Sequence, residues 1–507
     1  MFAAGCGSSS SGGTANPAPT DHVLHLSFLQ DPGQPPDPDV FYAGQGLLLT
    51  TNLYEGLLTY QPGTADTKLT GLLATDWKSA GNKVFTLHLR HGVVFHDGTP
   101  FTSAAVKPSF DRMTAVNGGP SYMVSDVSTV ATPDPYTVVI TLKQPNASFL
   151  GYLASSYGPR MKSPTALVAH AGKDHAQTYL QTHDVGTGAY TLTKSQVGTG
   201  YQLTAFGNYW GTKPYFTTVE IPVETDSSAQ QLLFDKGQLS MIMHDLTASA
   251  TKSYLKKDTV KTYSLPTQDS DYLYINPHNG FLTSKANRVA LEKAINIQQI
   301  YQGVFVGRAK IAQQSYPEHM MPNGTARQAI PYDPSTLQKV MNALPSNQRH
   351  ITIGYDSSSP DNQLVANLMS AQFASAGLTA KVQAYPTSQI FGWASDLKGS
   401  PDLLLSLGWP DAPPPYTWAH ISWDPGAGLN YLQCTDPQIT KLLAQGNKTG
   451  DNAIFSQAGD LAVASGCWYN LVNQDDFMVA QPWLKGVEQA HKVTTPFTLD
   501  LAKLTVG

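Results

Sequence analysis

The chain has 507 residues, more than one hydrophobic core accommodates, so two or three lobes are expected. Charged residues make up only 14%, against roughly 25% in soluble domains, and the net charge of −5 comes with no long basic run, which excludes nucleic acid and anionic headgroups as partners. No stretch approaches the roughly 18 unbroken apolar residues of a membrane helix.

The opening "MFAAGCGSSSSGGTANPAPT" is dominated by Gly, Ser, Pro and Thr, so residues 1–21 read as a flexible tether. Ala3-Ala4-Gly5-Cys6 resembles the tail of a bacterial lipobox, in which cleavage before the cysteine leaves its sulfur to carry a diacylglyceryl group. The usual preceding Leu is absent, as are the charged and hydrophobic parts of a secretion signal, so the reading is of a signal already removed; a free thiol in a disordered tail is the alternative. "HVLHLSFLQDP" alternates like a first strand and stops at Asp31-Pro32, and "GLLLTTNLYEGLLTY" reads as a helix with a Leu stripe. In "KVFTLHLRHGVVFHDGTPFTSAAVKPSFDRM", Val84, Thr86 and His88 alternate with Phe85, Leu87 and Leu89, a turn follows at Asp97-Gly98, and Thr102 is placed to cap a helix from Ser103. "ATPDPYTVVITLKQP" signals a hairpin.

From about residue 270 helices alternate with strands: "SKANRVALEKAINIQQIYQGVF" helical, "HITIGYD" a strand, "NQLVANLMSAQFASAG" a helix ending at Gly377, "TAKVQAY" a strand. This alternation predicts a substantially parallel α/β sheet in the C-terminal half and a more β-rich N-terminal half. Of the three cysteines, Cys434 and Cys467 lie beyond a secretion-type start and read as a disulfide formed in an oxidising compartment, two buried thiols being the alternative. Zinc-spaced Cys/His pairs, a G-x-S-x-G elbow and a phosphate-binding G-x-x-x-x-G-K-[ST] loop are all missing. No cofactor is implied.

Seven segments, in order, resemble the extracellular solute-binding proteins of oligopeptide and dipeptide ABC importers. "NLYEGL" is similar to that family's first helix, "VVFHDGTPFTSAAVKPSFDRM" to its F-x-D-G-x-P-x-T signature, "VGTGAY" to its G-T-G-P-Y turn, and "NYWGTKPYFTTVEIPV" to its N-x-x-Y-W-x-x-K-P strand. "NRVALEKAIN", "YDPSTLQKVM" and Gly408-Trp409 match later family segments. Gly98, Gly188, Asp97 and Tyr209-Trp210 read as turn and packing residues rather than ligand contacts. The resemblance implies a two-lobed periplasmic-binding-protein-like α/β fold of the type II, large peptide-binding class with an extra N-terminal subdomain. Lobe I would take residues 22–50, 187–268 and 480–507, its extra subdomain 51–186, and lobe II 270–478. Strands near "PTQDSDYL" and "NLVNQDDFMVAQP" would form the hinge.

In peptide-binding relatives an acidic residue shortly after the Gly-Trp strand end pairs with the ligand ammonium. Asp411 is the only carboxylate in "LLLSLGWPDAPPPYTW", though it stands two positions after Trp409 rather than three; an exposed or turn-capping Asp411 is the alternative. A buried ammonium needs a counter-charge, because desolvating it unpaired costs several kcal/mol. Gly408, Trp409 and Trp418 are candidate walls, with core packing as their other reading. By the resemblance Tyr157 occupies the region that reaches over the ligand, Phe41 and Tyr42 enter the cleft from the loop after "DPGQPPDPD", and Arg160 is nearest to a ligand carboxylate; a surface tyrosine and a solvated arginine are the other readings. The leading function is a non-enzymatic, monomeric binding lipoprotein. It would be anchored through Cys6 to the outer face of the cytoplasmic membrane and would pass a short peptide to ABC permease subunits. Two others compete: the same fold holding a sugar, metal chelate, amino acid derivative or secondary metabolite, and a secreted hydrolase using Asp402 and Asp411 as an acid–base pair.

Overall fold

Two long strands organise the molecule. In the computed structural model, which describes residues 16–63, 67–244, 246–495 and 497–507, Lys261–Ile275 and Trp468–Ala480 pair antiparallel from Lys261 opposite Ala480 to Tyr274 opposite Trp468. Their register breaks between Pro266 and Ser270. Pro266 has no N–H to give a ladder, so the pairing is interrupted there and the strands bend. On one side of the break Phe477 and Val479 pack with Phe234, Leu239 and Tyr254, and Met478 and Ala480 with Leu24, Tyr190 and Val219. On the other, Leu273 and Leu471 pack with Ile353, Val365 and Leu405.

The two strands belong to a seven-stranded sheet whose order runs Met241–Ile242, Trp468–Ala480, Lys261–Ile275, Leu403–Gly408, His350–Asp356, Thr379–Tyr385, with Ala309–Ile311 off the path. His350–Asp356 is parallel to both its neighbours because the helix Pro360–Ser375 supplies the crossover. The long pair is antiparallel, so the sheet is mixed rather than substantially parallel. Lobe I has a four-stranded sheet of Val23–His25, Thr218–Pro222, Gly200–Ala205 and Tyr190–Gln196. A second four-stranded sheet, Ala74–Ala80, Val84–Leu89, Thr137–Leu142 and Val127–Asp134, carries its own core around Phe85, Phe95, Phe110 and Phe149.

Local expectations shift in three places. The helix of "GLLLTTNLYEGLLTY" is Leu47–Leu53 and stops where Tyr54 turns extended, so that Leu58–Tyr60 becomes a strand. "SKANRVALEKAINIQQIYQGVF" breaks after Lys285–Lys293, and Asn296 caps the next turn by accepting from Gln299 N–H. Thr102 does precede the turn Ser103–Ala105, but its side chain makes no capping bond. Asp97 accepts from Thr99 N–H at 2.9 Å, as a turn residue does.

Three of the family-like segments meet on one side chain. Glu55 of "NLYEGL" is buried and accepts from Thr187 Oγ1 of "VGTGAY" at 2.8 Å and from Tyr209 Oη and Trp210 Nε1 of "NYWG" at 3.1 and 2.9 Å. Burial raises the Glu55 pKa and these donors offset part of the rise. Tyr209 and Trp210 are therefore hydrogen-bond donors as well as packing.

Cys6 and most of the expected tether lie outside the described residues. Its last part lies on lobe I, where Asn16 Nδ2 donates to Gln481 Oε1 at 3.2 Å. Cys434 and Cys467 are joined by a disulfide. Among the described residues no helix is long and apolar enough to cross a membrane.

Candidate functional site

The strand Leu403–Gly408 delivers the site. Gly408 pairs with Ser270 beside the register break, so the chain leaves the sheet where the lobes meet. A Cβ on Gly408 would come within 2.8 Å of the Trp418 ring, which makes this glycine a packing requirement rather than a ligand contact. Residues 411–414 then bend, with Pro410, Pro413 and Pro414 restricting the backbone, until the helix Pro415–Trp423 begins. This rigid turn crosses to lobe I: Ala412 packs in the Phe85–Phe149 core, Pro414 lies against Gly151, and Ser155 Oγ donates to Asp411 O.

The Asp411 side chain is 6% exposed. Tyr42 Oη and Tyr122 Oη both donate to its Oδ2, at 2.6 and 2.7 Å. Its Oδ1 accepts no hydrogen bond from the described residues. Burial raises the Asp411 pKa, and the Tyr122 and Tyr42 hydroxyls counter part of that rise. Its two donors are neutral, so among the described residues the ionised carboxylate has no counter-charge.

Tyr42 is fixed by ions at the base of its loop. Arg112 donates to Asp37 at 2.8 and 2.5 Å and to Asp39 at 2.5 Å, and Lys162 Nζ donates to Asp39 at 2.7 Å. All four groups are buried. Such a network holds the Pro-rich loop in one conformation, which sets where Tyr42 points. Tyr42 keeps 39% of its surface exposed even though its hydroxyl lies on Asp411, so its ring faces open space. Tyr157 packs edge-on against it, with centroids 5.2 Å apart, donates to Ala43 O at 2.8 Å and accepts from Trp409 Nε1 at 3.1 Å. Trp409 in turn meets Phe497 edge-on at 5.4 Å. Asp269, in the register break, is a second buried carboxylate; burial, then Asp476 and Asp271, push its pKa well up, and its Oδ1 has no partner among the described residues.

Of the residues singled out from sequence, Asp411, Trp409, Tyr157 and Tyr42 come together. Phe41 does not enter the cleft: it is 2% exposed and packs under Gly46. Trp418 is fully buried in lobe II against Tyr272, because the Pro-rich turn puts it on the inner face of its helix. Arg160 is buried in lobe I and donates to Ser155 O at 2.6 Å, making no ion pair with Asp411. Tyr122, Ser155 and Phe497 were not legible as site residues, since "GGPSYMV" reads as an ordinary turn. Asp402 does not pair with Asp411. It accepts from Thr352 N–H before a six-residue strand, which spans about 20 Å, whereas carboxylates acting on one bond lie within about 10 Å.

The lobes also touch through Asn447, whose O accepts from Ala147 N–H at 2.7 Å and whose Oδ1 accepts from Ser148 Oγ at 3.2 Å. A groove of about 580 Å³ lies elsewhere, between Lys261 and Lys485.

Two α/β lobes joined by a long strand pair and meeting over a buried carboxylate define a protein of the periplasmic-binding-protein fold. Residues 68–430 match the bacterial extracellular solute-binding proteins, family 5 Middle, and the chain belongs to that family. It is 24% identical over 499 residues, 95% of each chain, to the probable D,D-dipeptide-binding periplasmic protein DdpA of Escherichia coli (strain K12). Its fold is similar to NikA from Brucella suis in complex with Fe(III)-EDTA (TM-score 0.84, 20% identity, 96% of this chain and 100% of that one). It is also similar to the ABC transporter-associated periplasmic binding protein DppA from Helicobacter pylori in complex with peptide STSA (TM-score 0.80, 18% identity, 96% and 98%).

Proposed function

We propose that this protein captures short peptides with a free α-ammonium between its lobes and delivers them to an ABC permease. The observation that carries the reading is the Asp411 carboxylate, buried at the lobe boundary with both tyrosine donors on Oδ2 and Oδ1 open. An ammonium on Oδ1 would complete the charge that burial leaves uncompensated. The exposed face of Tyr42 and the half-buried Trp409 offer contact area beside it at little cost in side-chain entropy. Ligand held from both sides favours the closed arrangement. The relative named for D,D-dipeptides and the peptide complex of the Helicobacter pylori protein support the same class of ligand.

The test is calorimetry with L,L- and D,D-dipeptides and their N-acetylated forms. Asp411→Asn should weaken the best dipeptide by about 2 to 5 kcal/mol, the range for losing one member of a buried charge pair. The N-acetylated form should bind weakly to the wild type and lose little more. Wild-type affinity in Asp411→Asn would show that the carboxylate is structural. Tight binding of the acetylated peptide would shift the reading to a solute without an ammonium, such as a metal chelate, the ligand class in the Brucella suis structure.

In the same reading Cys6 carries a diacylglyceryl anchor that keeps the monomer beside its permease on the outer face of the cytoplasmic membrane, as the lipobox-like sequence suggests. Cys6→Ser expressed with a complete secretion signal should leave the membrane fraction for the soluble one.

A further inference from the structure

Beside the segment that carries Ser155 and Arg160 is a largely enclosed cavity of about 20 Å³, space for a single body the size of a water molecule. Arg160 and Lys492 line it, together with Tyr60, Thr494, and Ser156 and Thr495, whose hydroxyls are hydrogen-bonded to each other at 2.6 Å. Among the described residues that line it none is acidic. Arg160 is 5% exposed and uses Nη2 on Ser155 O, while its Nε has no partner. Tyr60 Oη is also buried without a partner. Lys492 makes no ion pair with a described residue.

The nearby acids do not fill this need. Glu55 acts on Arg160 from a distance, and its carboxylate is committed to Thr187, Tyr209 and Trp210. Asp500 acts on Lys492 without bridging to it. Burial pulls the Arg160 guanidinium down to about 10 and lowers the Lys492 ammonium as well, the direction expected of cations short of negative charge. Two cations converging on a walled, hydroxyl-lined space, with a buried N–H left over, form a site lacking its anion.

We infer that this cavity binds one small monoanion, a chloride ion or a single carboxylate group, between Arg160 and Lys492. The space suits a halide or one carboxylate oxygen and is too small for sulfate or phosphate. As a halide site it is independent of the peptide reading, and as a carboxylate site it rests on that reading; in both forms it is tied to the lobe boundary. Arg160 holds Ser155 O, and Ser155 Oγ holds Asp411 O. An anion that steadies Arg160 therefore steadies the turn beneath Asp411.

The test uses the whole chain. Crystals soaked in sodium bromide should show an anomalous peak within hydrogen-bonding distance of Arg160 and Lys492. The melting temperature should rise saturably with chloride at an ionic strength held constant with sulfate. Lys492→Met, which keeps the apolar stem of a half-buried side chain, should lower the chloride affinity at least tenfold. Absence of the bromide peak, or an unchanged chloride response in Lys492→Met, would overturn the site. So would bromide in the crystal with no chloride dependence of melting. Ala-Ala and its C-terminal amide distinguish the source of the anion. Displacement of bromide by the free acid alone identifies the carboxylate end of a ligand, and displacement by neither identifies free halide; both support the site. If Ala-Ala does not bind at all, the halide measurements still decide.

Discussion

Asp411 carries both of its tyrosine donors on a single oxygen, and its response to pH follows from that. Burial raises its pKa and Tyr122 and Tyr42 hold it partly down, so the folded value lies above that of an unfolded Asp. The neutral form is favoured by folding; stability from this group is complete below the unfolded pKa and is lost as pH rises through the folded one. Ligand binding runs the other way, because an ammonium needs the ionised form. Affinity for a dipeptide should be greatest between the raised Asp411 pKa and the ligand ammonium's own pKa of about 8, and fall as pH drops through the raised pKa, above the range of an ordinary Asp. Tyr122→Phe removes one donor to a charged acceptor, worth about 1.5 to 3 kcal/mol. It should weaken binding and move the midpoint to higher pH. Calorimetry between pH 4 and 8 reads both, and an unmoved midpoint would mean that Tyr122 does not tune Asp411.

At the scale of elements, the strand pair Lys261–Ile275 and Trp468–Ala480 holds charge where strands are ordinarily apolar. Asp271 is buried next to the register break, accepts from Gln474, and is pushed up to about 7, mainly by burial. Its contribution to stability is therefore present below the unfolded pKa of about 4 and is lost as pH rises towards 7. Asp271→Asn should raise the melting temperature at pH 8 and change it little at pH 4. A shift of this size corresponds to about 2 to 4 kcal/mol at most. Equal effects at the two pH values would show that the carboxylate is better compensated than its surroundings indicate. The disulfide acts at the same scale. It ties the loop before helix Pro437–Thr449 to the start of strand Trp468–Ala480 across 33 positions, and on a chain-entropy account such a loop is worth about 3 to 4 kcal/mol. Replacing both cysteines with serine should lower unfolding free energy by that order in denaturant titrations, and thiol counting under denaturation should find no reactive sulfur at either position.

For the whole molecule, the lobes meet through Asp411 with two tyrosines and Ser155, Trp409 with Tyr157 and Phe497, Ala412 and Pro414 on the Phe85–Phe149 core and Gly151, and Asn447 and Lys448 with Ala147, Ser148 and Asn82. Most of these contacts are single hydrogen bonds, which suits reversible closure. In small-angle scattering the ligand-free protein should have a larger radius of gyration than the peptide complex. Asn447→Ala deletes the bond from Ser148, about 0.5 to 1.5 kcal/mol, and should weaken peptide binding by up to about tenfold without touching the ligand. An unchanged affinity would place Asn447 outside the closure equilibrium.

The fold family was legible in residue order alone, and so was one candidate carboxylate for the site. "NLYEGL", "VGTGAY" and "NYWG" are recognisable because local turns and helix starts are written in adjacent residues, and Asp411 stood out as the lone carboxylate after Gly408-Trp409. What those segments do together was not legible: nothing in their order says that Thr187, Tyr209 and Trp210 converge on Glu55. Phe41 and Tyr42 are adjacent aromatics, and only packing decided that one fills a core while the other faces the cleft. Trp409 and Trp418 were divided in the same way. The partners of Asp411 lie 369 and 289 positions away, in a Pro-rich loop and a short turn without a pattern of their own. Which oxygen is occupied and which is open is set by where two separately folded lobes touch. That is a property of burial and distance, which residue order records only after the chain has folded.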